Sequence, residues 1–284
     1  MHILLTGSSG FTGRALTQAA QNAGHTVAHL SSNLNEIPSL TAEIAGINPT
    51  HVVHLAGISF VGHADPLAFY MVNVLGTMNL LNALAALPVK PQCVLISSSA
   101  NVYGNCLQSP IQETQPLAPI NHYASSKMTM EHMAKTQSQQ LPLVFTRPFN
   151  YTGAGQSTDF LVPNLVDHFL RKADHIALGN LNVEREFNDV RMVCEAYLKL
   201  LTVGERGQTY NICTGKAYTP RQLIESLKRL TGHTMTVETR ADLVRANEVH
   251  RLCGNPEKLQ AAIGKPSDFE LVDTLKWMLN VDPS

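Results

Sequence analysis

The sequence predicts an α/β protein built on a doubly wound parallel sheet, as one large domain or one domain plus a small lobe. Three observations lead there. Short aliphatic runs alternate with helical patterns through the first half of the chain, the first run ends in a glycine-rich turn, and the alternation loosens after residue 150. Buried strands separated by helices require crossover connections, which give parallel strands with helices on both faces.

Residues 2–6 read as a buried strand running into Gly7-Ser-Ser-Gly10-Phe-Thr-Gly13-Arg14, followed by a helical run over 15–23 with Gly24 as its stop. In the order strand, glycine turn, helix, backbone amides at the helix N-terminus can hold a pyrophosphate. Gly7 permits the tight turn, Gly10 lets backbone approach the ligand, and Gly13 lets helix and strand pack closely. The spacing is G-x-x-G-x-x-G, not the commoner G-x-G-x-x-G. Further strands are predicted at 26–30, 51–55, 93–97 and 143–147, with helices from 39, over about 65–87, and from 123. Gly7, Gly57, Ser99 and Asn150 each fall just after a strand, at the carboxyl edge where such sheets take ligands. Beyond 150 a helix over 162–171, a strand over 208–214 and a helix over 220–230 precede a tail of short elements from 233.

With 284 residues, 44% of them hydrophobic, the chain can bury a full core. A net charge of -1 leaves no basic excess for nucleic acid, and no basic amphipathic stretch suggests a membrane surface. No run reaches about 18 uninterrupted apolar residues, and the start is a strand rather than a charged region before an apolar one, so neither a membrane span nor a signal peptide is expected. Cys93, Cys106, Cys194, Cys213 and Cys253 form no C-x-x-C and are odd in number, which suits a reducing cytoplasm. The twelve histidines form no H-E-x-x-H and pair with no cysteine at ligand spacing, so no metal site is expected. His51 and His54 bracket a strand and read as packing groups with a strand-end hydrogen bond.

Tyr123-Ala-Ser-Ser-Lys127 carries the chemistry. On a helix Tyr123 and Lys127 share a face, so the ammonium can sit beside the phenol and draw its pKa down from roughly 10 toward the working range. Ser99, in the run Ser97-Ser98-Ser99, can hold the oxygen that exchanges the proton. Alone, these residues would read as a surface helix and a strand-end turn. Together with the glycine turn they read as a carbonyl-reducing site.

Motifs stand in order along nearly the whole chain: the glycine turn, His54-Leu-Ala-Gly57, Asn73-Val-Leu-Gly-Thr-Met-Asn-Leu-Leu81, Ser97-Ser-Ser-Ala-Asn-Val-Tyr-Gly104, Tyr123-Ala-Ser-Ser-Lys127, Arg147-Pro-Phe-Asn150, Arg185-Glu-Phe-Asn-Asp-Val190 and Tyr210-Asn-Ile-Cys-Thr-Gly215. In this series the chain resembles the extended short-chain dehydrogenases/reductases, the epimerase/dehydratase branch that acts on nucleotide sugars. Within it, the wording around 147–155 and 245–254 resembles GDP-4-keto-6-deoxy-mannose reductases. The resemblance implies a Rossmann domain over 1–150 plus about 187–214, and a nucleotide-sugar lobe over about 151–186 plus 215–284. It implies Ser99, Tyr123 and Lys127 as catalytic residues, and a dinucleotide held by Gly7, Gly10, Phe11, Thr12, Gly13, Arg14, Ser31, Ser32, Leu55, Ala56, Gly57, Tyr123 and Lys127. Asn150, Arg185, Arg245 and Glu248 are implied at the sugar or diphosphate. Asn73 is implied to steady local backbone and a water. A homodimer, through the helix carrying residues 71–81 and the helix after Tyr123, is implied as well.

The reaction expected is reduction of a 4-keto sugar. Dehydratases of this branch place acidic residues directly after the active-site hydroxyl, whereas here stand Ala100 and Asn101, neither of which exchanges the required proton. A 4-epimerase with tightly held NAD is the alternative, because its Ser, Tyr and Lys are the same. A non-catalytic dinucleotide sensor is the reading from another class, against which the retained Tyr-Lys pair speaks. NADP(H) is favoured over NAD(H), because Ser31-Ser32-Asn33 shows no carboxylate after the second strand and Arg14 could meet a 2′-phosphate. Two departures from the family pattern are His122, where a proline often stands, and a short segment between the second and third strands.

Overall fold

The computed structural model describes residues 1–244 and 248–280. The first half runs β1 (His2–Thr6), α1 (Phe11–Asn22), β2 (Thr26–His29), α2 (Ile37–Ile47), β3 (His51–His54), α3 (Pro66–Tyr70), α4 (Thr77–Ala86), β4 (Cys93–Ser97), α5 (His122–Lys135) and β5 (Leu143–Pro148). There follow β6 (Tyr151–Thr152), α6 (Leu161–Leu170), β7 (His175–Leu178), β8 (Glu184–Glu186), β9 (Asn188–Asp189), α7 (Val190–Val203), β10 (Thr209–Ile212), β11 (Ala217–Tyr218), α8 (Pro220–Thr231), β12 (Thr236–Thr239), β13 (Arg251–Leu252), α9 (Glu257–Ile263) and α10 (Leu271–Leu279).

The predicted sheet is present: six parallel strands in the order β10-β5-β4-β3-β1-β2. One face packs Leu16 and Ala20 of α1, Val193, Tyr197 and Leu200 of α7, and Leu259 of α9. The other packs Leu40 and Ile44 of α2, Leu80, Leu81 and Leu84 of α4, and Met130 and Ala134 of α5. Both faces of the inner strands are therefore dry, which is why β1, β3, β4 and β5 read as apolar runs rather than alternating ones, while the edge strand β2 stays partly exposed. A separate cluster joins α6, α8 and α10 through Leu165, Phe169, Leu223, Leu227 and Leu275.

Local chemistry sets the helix ends. Asn121 caps α5 by accepting from the Ala124 amide at 2.8 Å, so the helix opens at His122 and turns Tyr123 and Lys127 inward. The helix expected from 39 begins instead at Ile37, because Pro38 sits in the first turn, where its missing N–H costs nothing. Asp65 caps the long helix at the Leu67 amide, but the helix is not uniform. Met71–Gly76 form a π-helical turn between α3 and α4.

The stretch Pro66–Ala86 is long and apolar enough to cross a membrane by length and composition, and half of it is buried within the fold. It packs against α5, and its α4 portion against α2. Leu67, Met71 and Leu75 leave an exposed apolar ridge on it, and Met133 is exposed on α5.

Candidate active site

The glycine turn is fixed by space at two of its three glycines. Gly7 has φ +70°, and a Cβ there would lie 2.7 Å from the Ala56 nitrogen; a Cβ at Gly13 would lie 2.2 Å from the Gly7 carbonyl oxygen. Gly10 is exposed and would meet only the Gly7 oxygen, at 3.3 Å, so its open side faces the cleft. No side chain caps α1, which leaves its first amides pointing out of the helix end. The buried Ser98 hydroxyl lines the same cleft with no hydrogen-bond partner among the described residues. An uncapped helix end, a backbone clear of Cβ atoms and an unsatisfied hydroxyl fit a pyrophosphate-bearing dinucleotide.

Ser99, Tyr123 and Lys127 come together at the carboxyl ends of β4 and β5, each less than a tenth exposed and each lining the cleft. Ser99 begins a short 3₁₀ turn, and its Oγ accepts from the Asn101 amide at 3.2 Å and from Asn101 Nδ2 at 3.1 Å. A hydroxyl has two acceptor sites and one donor, so Asn101 fills the first two and leaves the O–H to donate. Tyr123 shares a hydrogen bond with Ser99; burial raises the phenol's pKa and that bond offsets part of the rise. The Lys127 ammonium donates to the Ser97 carbonyl at 2.8 Å, and burial lowers it to about 8 against a raising pull from Glu131. The expectation that Lys127 draws the phenol's pKa down is corrected here: desolvation dominates, and the phenol is kept protonated.

Two supports stand behind these residues. Asn73, fully buried in the π-helical turn, accepts from the Ile58 amide at 2.9 Å and donates to the Ile58 carbonyl at 3.2 Å and to Ser126 Oγ at 3.0 Å. It therefore pins the segment after β3 to the helix carrying Tyr123. His54 lies 2.7 Å from the Thr6 hydroxyl and 2.8 Å from that of Thr77, and burial lowers its pKa to about 3, so it is a neutral structural group.

One cleft of about 1230 Å³ is lined by residues that include Gly7, Gly10, Phe11, Thr12, Gly13, Arg14, Leu55, Ala56, Gly57, Ser99, Tyr123, Lys127, Asn150, Arg185 and Glu248. Every residue expected at a site is thus gathered there except three. Ser31 and Ser32 do not line it, and Arg245 lies outside the described residues. Elsewhere in the lining, the Arg185 guanidinium donates to the backbone carbonyls of Glu184, at 2.9 Å, His250, at 3.3 Å, and Val249. Glu248 Oε2 accepts from Asn180 at 2.7 Å.

A family model described as GDP-mannose 4,6 dehydratase matches residues 2–278. The chain belongs to that family. Its fold is that of the extended short-chain dehydrogenases/reductases, and it is an oxidoreductase. It is 34% identical to GDP-6-deoxy-D-talose 4-dehydrogenase of Aggregatibacter actinomycetemcomitans, covering 96% of this chain and 94% of that one. It is 32% identical to GDP-6-deoxy-D-mannose reductase of Pseudomonas aeruginosa, covering 98% and 96%. Among solved structures it superposes on RMD from Pseudomonas aeruginosa complexed with NADPH, with a TM-score of 0.90, 33% identity and coverage of 98% and 97%. A candidate epimerase from Burkholderia cenocepacia superposes with a TM-score of 0.93, 40% identity and coverage of 99% and 97%.

At the far end of the dinucleotide-binding edge this family member departs from the sequence reading. Ser31-Ser32-Asn33 carry no acid of their own, yet a carboxylate is present. Glu43, from α2, accepts from the Ser31 amide at 2.8 Å, the Ser31 hydroxyl at 2.7 Å and the Ser32 amide at 2.7 Å. The premise that no acid faces this position is therefore overturned. Arg14, expected at a 2′-phosphate, donates to the Ser9 carbonyl at 2.6 Å and the Gly155 carbonyl at 2.8 Å, tying the glycine turn to the segment after β6. Sequence reading also missed Asn101 as the partner of Ser99, and Tyr151, whose hydroxyl lies 2.7 Å from that of Thr12 while its ring stacks on Phe11. The three-residue spacing of Leu40 and Glu43 gave the available signal for Glu43, since it shares a face with a fully buried residue.

Proposed function

We propose that this chain reduces the 4-keto group of a GDP-activated 6-deoxy sugar, acting as a GDP-4-keto-6-deoxy-mannose reductase. The observation that carries the reading is the protonated, buried Tyr123 joined to Ser99 at the mouth of the glycine-lined cleft. Two relatives covering nearly the whole chain act on GDP-6-deoxy sugars by their names, which supports the substrate class.

When bound, a reduced nicotinamide dinucleotide supplies the hydride. Gly7, Gly10, Phe11, Thr12 and Gly13 would hold its pyrophosphate by backbone, with Leu55, Ala56 and Gly57 along its side and Lys127 near the nicotinamide end. The NADPH in the solved RMD supports NADPH here, and the Glu43 carboxylate supports NADH. The protein's own part is proton management. Ser99 donates to the substrate's carbonyl oxygen, and Tyr123 gives that oxygen its proton as the carbon is reduced. Lys127, mostly protonated at neutrality, stabilises the phenolate left behind. Asn150, Arg185 and Glu248 line the cleft, where Arg185, its fork engaged by the carbonyls of Glu184, Val249 and His250, offers positive charge toward a diphosphate. Dehydration lacks a proton carrier, since Ala100 is apolar and Asn101 is engaged with Ser99.

Incubation of the purified chain with GDP-4-keto-6-deoxy-mannose should consume reduced-nicotinamide absorbance, and Tyr123→Phe should lower kcat by roughly 10²- to 10⁴-fold while dinucleotide binding persists. Full activity in that variant refutes the assignment. The likeness to a candidate epimerase favours a second reading, 4-epimerisation with retained NAD, under which sugar epimers interconvert with no net loss of reduced dinucleotide. We also propose a homodimer through the ridge of Leu67, Met71 and Leu75 with Met133, testable by sedimentation.

A further inference from the structure

We infer that Glu43 sets the dinucleotide preference of this chain, by placing a carboxylate where a 2′-phosphate would have to lie and so selecting NADH over NADPH. The inference rests on the reading of the cleft as a dinucleotide site and decides which dinucleotide it takes.

The carboxyl end of β2 lies beside that of β1: Leu5 pairs with His29, and the Leu30 amide donates to the Leu5 carbonyl. The glycine turn starts at the same edge, two residues after Leu5. In a doubly wound sheet that binds its pyrophosphate on this turn, the segment after the second strand meets the adenosine ribose, and an acid there bonds the ribose hydroxyls. Here the segment begins with Ser31-Ser32, whose successive amides and a hydroxyl converge on one point, forming a concavity suited to an anion. Ser31, Ser32 and Glu43 are not among the residues that line the cleft, and a 2′-phosphate reaching past it to the end of β2 would find its donors there. Instead the point is occupied by the chain's own carboxylate, delivered from α2.

Two facts make that occupation hard to displace. Burial alone would raise the Glu43 pKa, but the hydrogen bonds from Ser32 and Ser31 hold it at about 2, so it is ionised at any working pH. Moreover, residues 15–89 contain no lysine or arginine, so β2, α2, β3, α3 and α4 carry no such cation to neutralise two anions at this edge. Arg14 is the nearest arginine in sequence, and its guanidinium is engaged by Ser9 and Gly155. A like-charge contact of this kind discriminates by repulsion.

The test is a dinucleotide titration by intrinsic fluorescence, with NADH and NADPH separately, on the wild-type chain, Glu43→Gln and Glu43→Ala, with thermal melts to confirm that each variant folds. Expected are tighter binding of NADH by the wild type and a shift of the NADPH-to-NADH affinity ratio toward NADPH by about tenfold or more in the variants, the size of one removed charge conflict. Tighter binding of NADPH by the wild type overturns the inference, and this holds whether or not the variants fold. An unchanged ratio, with both affinities falling together, also overturns it, because that is what a merely structural Glu43 would give. Binding of neither dinucleotide by the wild type would remove the site itself and the inference with it.

Discussion

Lys127 and Glu131 lie one turn apart on the buried face of α5, and the carboxylate opposes the burial that lowers the lysine to about 8. This places the ammonium's titration close to neutrality, where the proposed reaction can report it. With its proton the lysine stabilises a phenolate on Tyr123; without it that stabilisation is gone. Reductase kcat/KM should therefore fall as pH rises through about 8, and Lys127→Met should be slow at every pH. A pH-rate profile flat across that region would separate the lysine from the reaction. The stability effect has the opposite sense. The unfolded lysine titrates near 10.5, so between about 8 and 10.5 the unfolded chain binds more protons. This group thus disfavours folding below about 8, and its penalty fades as pH rises toward 10.5.

Glu131 has a second partner. Arg147 meets it with two parallel bonds, Nε to Oε1 at 2.9 Å and Nη2 to Oε2 at 2.6 Å, both groups almost wholly buried. The same guanidinium donates to the Tyr103 hydroxyl at 3.0 Å, which in turn donates to Asn211 at 2.7 Å, so α5, β5 and β10 share one polar network inside the fold. Glu131→Ala strands a buried guanidinium and should cost about 3–5 kcal/mol in denaturant unfolding. The double variant Glu131→Leu with Arg147→Leu should recover part of that loss, because the guanidinium goes with its partner, while Lys127 still loses the carboxylate that opposes its burial. Equal destabilisation by the single and double changes would show that packing, not charge, is at stake.

Asn101 should govern the proton-donating direction of Ser99. Its side chain supplies one of the two bonds that fill the acceptor sites of Ser99. Asn101→Leu should leave the backbone bond and dinucleotide affinity intact, yet lower kcat about tenfold, the worth of one hydrogen bond of about 1.4 kcal/mol in the transition state. Steady-state kinetics with KM unchanged would agree with that role; a loss confined to KM would not.

The residues that sequence reading located are those whose role depends on near neighbours. Tyr123 and Lys127 are one helical turn apart, and Gly7 and Gly13 serve a turn that closes within seven residues, so spacing alone exposes them. The inner strands β1, β3, β4 and β5 were legible because both faces are buried, which makes them short apolar runs. Glu43 was not, because its meaning depends on meeting Ser31 and Ser32 from another element. Asn73 was expected to steady local backbone, but neither its partner Ile58 nor the Ser97 carbonyl beneath Lys127 was legible, since backbone partners carry no sequence signal. The segment Arg185-Glu-Phe-Asn-Asp-Val190 was read for its arginine, but its acids hold the fold together. Glu186 accepts from the amides of Gly254 and Thr214, and Asp189 caps α7 and accepts from Thr274. β8, β11 and β13, of two or three residues each, are too short to show any period.

The glycine turn allows folding and ligand binding to be separated within one motif. A methyl group at Gly13 would lie 2.2 Å from the Gly7 carbonyl oxygen and 2.6 Å from the Ser8 Cα, both backbone atoms that cannot yield without moving the turn. Gly13→Ala should therefore lower the melting temperature as well as abolish dinucleotide binding. At Gly10 the only close neighbour is the Gly7 oxygen at 3.3 Å, and the backbone is extended at φ -71°, which alanine adopts freely. Gly10→Ala should accordingly melt within about 1 kcal/mol of the wild type, since surface changes without strain rarely exceed that. Its added methyl group nonetheless stands on the open side of the turn, where backbone must approach the pyrophosphate. Dinucleotide affinity should fall for NADH and NADPH alike, in contrast to the selective effect of Glu43 variants. Parallel thermal melts and dinucleotide titrations on the two alanine variants would check this, and normal dinucleotide affinity in Gly10→Ala would show that the pyrophosphate does not lie against this turn.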